Sequence, residues 1–113
     1  MKIITRAVVL LLVSLLCIGL ALAGEKASVG KGKALFNDPK LGTTGSSCNT
    51  CHGGGKGLEG ASSKKQWITE GKAHDTLEET VNYCITAGLQ GKPLNVKSIE
   101  MQSLVMYVKS LGN

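Results

Sequence analysis

Cys48-Asn49-Thr50-Cys51-His52 is the run in this chain best equipped to do chemistry. Two thiols at i and i+3, followed at once by an imidazole, form the C-x-x-C-H pattern of haem c attachment. The spacing lets both thiols add across the two vinyl groups of one haem. The histidine then sits under the iron as its proximal ligand. A C-x-x-C can also be half of a zinc site, but zinc needs a second ligand pair at metal spacing, and the sequence has none. A thioredoxin-like redox pair needs a βαβ setting, which the pattern does not offer. Cys48 and Cys51 are therefore expected to carry covalent thioether bonds to haem c, and His52 to bind its iron.

That chemistry takes place outside the cytosol, and the N-terminus supplies the means of export. Lys2 and Arg6 form a short positive region, and residues 7–22 are an almost unbroken apolar run. Ala21-Leu22-Ala23 puts small residues at the −3 and −1 positions, which predicts cleavage before Gly24. Sixteen apolar residues are short for a membrane span. A lipoprotein signal would need a small residue before Cys17, and Leu16 stands there. Residues 1–23 are thus expected to be a cleaved secretory signal peptide. Residues 24–113 are expected to be one domain, periplasmic or otherwise exported, without a stable membrane anchor.

Cleavage changes the charge balance. Losing Lys2 and Arg6 takes the 13 basic residues to 11 against 8 acidic ones, a net charge of +3. The lysines are scattered, few aromatics lie between them, and no basic stripe forms, so a nucleic-acid partner is not expected. Lys31, Lys33, Lys56, Lys64, Lys65 and Lys92 could instead steer a redox partner protein. Ninety residues give a thin core, and a large flat prosthetic group would supply much of it. Cys17 leaves with the signal. Cys84 then remains as an odd cysteine that needs a role.

The elements that must position these groups read as all-α. A first helix over 28–36 ends before Asn37-Asp38-Pro39. Gly53-Gly54-Gly55-Lys56-Gly57 is pliant backbone expected to pass the haem edge. A second helix spans about 76–87, with Asp75/Glu78 and Thr76/Glu79 both at capping-box spacing and Gly88 as its stop. Leu77, Val81, Cys84 and Ile85 share its apolar face, so Cys84 is expected to point inward. A last helix over 99–111 is capped by Ser98 and stopped by Gly112. Met101, Leu104, Val105, Val108 and Leu111 share one face of it, and Met106 lies opposite. No strand pattern, internal repeat or second C-x-x-C-H is found, so one haem is expected.

From end to end the mature sequence resembles monohaem c-type cytochromes of the bacterial periplasm. Gly32-Lys33-Ala34-Leu35-Phe36 is similar to that family's first helix, and Leu104 to Leu111 to its C-terminal helix. The resemblance implies the cytochrome c fold, with Gly32 and Phe36 packed against Tyr107 and helices wrapped around an edge-exposed haem. Many members present a methionine to the iron from a Gly-Met-Pro-like loop, but this chain has Gly91-Lys92-Pro93 there.

Four candidates for the distal ligand follow. The stretch from Val81 through Cys84, Gly91 and Leu94 to Met101 resembles a haem domain of thiosulfate dehydrogenases and related sulfur-oxidising cytochromes, which implies Cys84 as distal ligand. Its ordinary alternative is a buried small hydrophobe. Met101 is the alternative ligand, or a core methionine. His74 lies in a polar segment and would otherwise be solvated. Lys92 stands in the methionine's place, but binding iron would require a strongly depressed pKa.

The favoured function is one-electron transfer through an exposed haem edge, with donor and acceptor proteins as partners. No catalytic constellation is found. The rival is a haem enzyme or enzyme subunit in thiosulfate oxidation, with Cys84 as its distinguishing group. A third reading is a haem sensor with an open distal site.

Overall fold

The computed structural model describes residues 24–113. The expected signal peptide and its cleavage site at Ala23 lie outside the described residues. Among the described residues four α-helices follow one another: α1 (Val29–Phe36), α2 (Cys48–His52), α3 (Leu77–Tyr83) and α4 (Ile99–Leu111). A 3-10 turn over Gly53–Gly55 extends α2, and a π-helical turn over Cys84–Gly88 extends α3.

The long helices begin where their caps predict. Ser28 accepts from the amide of Lys31, and Ser98 from that of Met101. For α3 the structure selects Thr76, whose hydroxyl accepts from the amide of Glu79. Each cap satisfies an amide that has no partner within the helix.

α1 lies across α4, and this crossing is the frame of the domain. A β-carbon on Gly32 would stand 1.9 Å from the carbonyl oxygen of Ser103, so only glycine lets the backbones meet. Phe36 packs edge-on against Tyr107 with ring centroids 5.2 Å apart. Such pairs contribute about 0.5–1.5 kcal/mol beyond their buried area. Ile85, Met101 and Leu104 sit at the centre of the core, each 1 % exposed or less. Met106 is exposed, as its helical position predicts.

Two expectations are corrected. The domain is not purely helical: β1 (Trp67–Thr69) pairs antiparallel with β2 (Lys72–His74), with Trp67 opposite His74 and Thr69 opposite Lys72. Three residues per strand are too few to show an alternating pattern, and the connecting pair is Glu70-Gly71 rather than Asn-Gly or Asp-Gly. Both turn residues hold positive φ, 49° and 79°, as a type I′ turn requires. The second correction concerns helix 76–87, which is α-helical only to Tyr83. There it widens, and the amide of Leu89 donates to the carbonyl of Cys84 at 3.1 Å. Gly88 therefore does not stop the helix; it lies within the wider turn. Such π turns recur at functional sites.

Candidate haem site

The short α2 puts Cys48 and Cys51 one helical turn apart with His52 beside them. All three line a largely apolar cavity of about 410 Å³ that is partly open to solvent. Phe36 of α1 and Leu104 and Val108 of α4 contribute its floor, and Cys84 joins from the π turn. The volume lies in the range that holds small cofactors. Among the lining residues no lysine or arginine occurs, and the one carboxylate is Glu70.

His52 is held in one tautomer. Its Nδ1 lies 2.8 Å from the carbonyl oxygen of Lys56. A carbonyl can only accept, so Nδ1 carries the proton and Nε2 keeps the lone pair that a metal needs. The loop behind the ring makes this possible. Gly54, Gly55 and Gly57 all adopt positive φ, and a β-carbon on Gly57 would come within 3.4 Å of Nδ1. The glycine run expected to pass the haem edge thus also has a structural task at His52. It folds back under the imidazole and does not line the cavity.

The three cysteines of residues 24–113 are free thiols. Burial pushes the Cys48 thiol up to about 11, and Cys84 adds like-charge repulsion. Burial also raises Cys84, with Cys51 and then Glu70 adding to it. The hollow therefore favours neutral sulfur. A thiolate at Cys84 needs a compensating positive charge, which a metal ion supplies.

The four distal candidates separate cleanly. Cys84 alone lines the cavity. Met101 is 0 % exposed, belongs to the core cluster with Ile85 and Leu104, and does not itself line the cavity. Nε2 of His74 lies 2.7 Å from the hydroxyl of Thr69, and the ring is buried under the hairpin. Lys92 is exposed. Its loop is tied to α3 by Asn82, which donates to the carbonyl of Leu94 and accepts from its amide, both at 2.8 Å.

Sequence reasoning missed the hairpin's contribution. Thr69, Glu70 and Tyr83 line the cavity beside Cys84. The Tyr83 hydroxyl donates to Glu70 Oε2 at 2.7 Å, and this bond raises the Tyr83 pKa. The only signal was the pair of pliable turn positions at Glu70-Gly71. The indole Nε1 of Trp67 is buried without a hydrogen-bond partner.

The residues present fit a haem. The hollow is apolar, it carries two thiols at attachment spacing, and His52, with Nδ1 engaged by Lys56, lines it. Among the described residues no group of three or more His, Cys, Asp or Glu side chains could hold a bare metal ion. A porphyrin needs no such cluster, because its own nitrogens supply four of the iron's ligands. Among the same residues, no helix is long and apolar enough to cross a membrane. A model of the family described as SoxA/TsdA, cytochrome c domain, matches residues 31–113. No curated protein and no solved structure matches the chain.

Proposed function

The chain belongs to the SoxA/TsdA cytochrome c domain family, and from that premise we propose that it is a periplasmic one-electron carrier with a single haem c. Domains of this family carry covalently bound haem c and serve haem-based electron transfer. Cys48 and Cys51 bind the haem through thioethers, His52 is the proximal ligand and Cys84 the distal one. The observation that carries this reading is the convergence of all four side chains on one apolar cavity. The bound group supplies the Fe(III)/Fe(II) couple. The chain's own residues exclude water, orient His52 through Lys56 and set the charge beside the iron through Cys84 and Glu70. The exported location rests on the signal-like N-terminus.

A second reading, thiosulfate oxidation, draws on the family resemblance and on Cys84 standing in the cavity. The lining weighs against it, since an oxyanion would meet Glu70 and no lysine or arginine. Ferric spectra of the wild type, Cys84→Ser and Met101→Leu test the assignment together with a thiosulfate assay. The expected result is a spectrum changed by Cys84→Ser and left alone by Met101→Leu. Turnover with thiosulfate and an external acceptor should stay at background. A band at about 700 nm that disappears only in Met101→Leu would transfer the distal role to methionine. Sustained turnover would replace the carrier by an enzyme.

A further inference from the structure

Three side chains of the β1–β2 hairpin converge on one residue of α3. Glu70 accepts a hydrogen bond from the Tyr83 hydroxyl at 2.7 Å. The His74 ring lies 5.0 Å from the Tyr83 ring. Nζ of Lys72 stands 5.7 Å from the same ring centroid. Tyr83 is the residue before Cys84, and Thr69, Glu70 and Tyr83 line the cavity with it.

The hairpin itself is weakly built. Two strands of three residues have little stability of their own. Trp67 Nε1 on its inner side lacks a partner, which weakens it further. Glu70 holds a φ of 49°, a backbone state that costs a glutamate free energy. Asparagine would serve the turn better, so the turn does not account for the carboxylate. Its use is the bond to Tyr83.

The geometry points to Tyr83 as a latch, a positioning residue that fastens the hairpin over the Cys84 side of the cavity and restricts small external ligands from reaching the haem iron there. Opening the hairpin is then a local event that breaks the Tyr83–Glu70 bond and leaves the α1–α4 frame intact. The inference rests on haem occupying this cavity, but not on Cys84 binding the iron.

The test is imidazole binding to the ferric, haem-loaded protein at about pH 8.5, where imidazole is neutral. A Cys84→Ala background removes any competition from the thiol. Adding Tyr83→Phe deletes the bond and keeps the ring, and the association rate should rise about tenfold. Glu70→Gln keeps an acceptor and should stay within about twofold of the parent. Glu70→Asn creates an Asn-Gly turn that suits the backbone but leaves a side chain too short for Tyr83. Its rate should rise as in Tyr83→Phe while its thermal midpoint does not fall. A merely structural contact would not give that combination. Amide hydrogen exchange over residues 67–74 should accelerate in Tyr83→Phe and Glu70→Asn and not in Glu70→Gln. Equal imidazole rates throughout, or exchange that fails to follow them, would overturn the latch. Failure to retain covalent haem in the parent would overturn the haem assignment instead, and the exchange measurement would then judge the latch.

Discussion

Replacing Cys84 with methionine is expected to raise the reduction potential of the haem-loaded protein by about 0.2 V. The argument is electrostatic. A thiolate brings a full negative charge to the iron and stabilises the ferric state. A thioether is neutral and soft, and it favours the ferrous state. For a one-electron couple 59 mV is a factor of ten, so about 0.2 V corresponds to roughly 4.6 kcal/mol. That is a plausible size for one unit of charge at bonding distance in a hollow whose walls are Phe36, Leu104 and Val108. Nothing among the lining residues offsets the thiolate, since the one charged neighbour, Glu70, has the same sign. Potentiometric titration of the wild type, Cys84→Met and Met101→Leu measures the effect. Met101→Leu should move the potential by less than about 30 mV, because Met101 is buried in the core and is not among the residues that line the cavity. An unchanged potential in Cys84→Met would remove Cys84 from the iron.

The same charge argument bears on function. The hollow raises the pKa of Cys84 through burial and through the neighbouring Cys51 and Glu70. That favours the neutral thiol, and the proposed ligation would need the iron's positive charge to hold a thiolate there. Glu70 adds a fixed negative charge that a lysine-lined oxyanion site would avoid. Under the proposed ligation, both features suit a low-potential carrier better than the binding of a small anion.

Different parts of this arrangement were legible to different degrees. Cys48, Cys51 and His52 were readable as one group because the pattern lies in their spacing along the chain, and all three line the cavity. The caps at Ser28 and Ser98 were readable for the same reason, since each acts within four residues. The Phe36–Tyr107 contact followed from a resemblance, and the rings do meet. The choice between Cys84 and Met101 was beyond the sequence. Both stand on apolar helix faces that reach the cavity, through Leu77 and Val81 on one and Leu104 and Val108 on the other. Only the fold shows that Cys84 itself lines the cavity while Met101 is packed in the core. The Glu70–Tyr83 bond was hidden for another reason. It joins residues 13 apart through a hairpin too short to show periodicity. The support for His52 was partly concealed too, because Lys56 acts through its backbone carbonyl, which carries no side-chain signature.

Gly32→Ala is expected to destabilise the haem-loaded protein by about 2–4 kcal/mol, against its helix propensity. In an exposed helix the same change would stabilise by up to about 1 kcal/mol. Here the new β-carbon would lie 1.9 Å from the Ser103 carbonyl oxygen, 2.6 Å from its carbon and 2.7 Å from Cβ of Tyr107. The obstacle is backbone and cannot rotate away, so α1 must move off α4. That movement stretches the bond from the Ser28 amide to the Ser103 hydroxyl, now 3.1 Å, and separates Phe36 from Tyr107. Phe36 and Leu104 both line the cavity, so the shift reaches the haem walls as well. Gly30→Ala is the internal control, since it lies in the same helix with nothing within 4 Å. Thermal unfolding followed by circular dichroism should show Gly32→Ala lowered by about 8–32 °C. Gly30→Ala should be unchanged or slightly raised. Two variants of equal stability would mean that the close α1–α4 crossing is not what holds the walls of the site together.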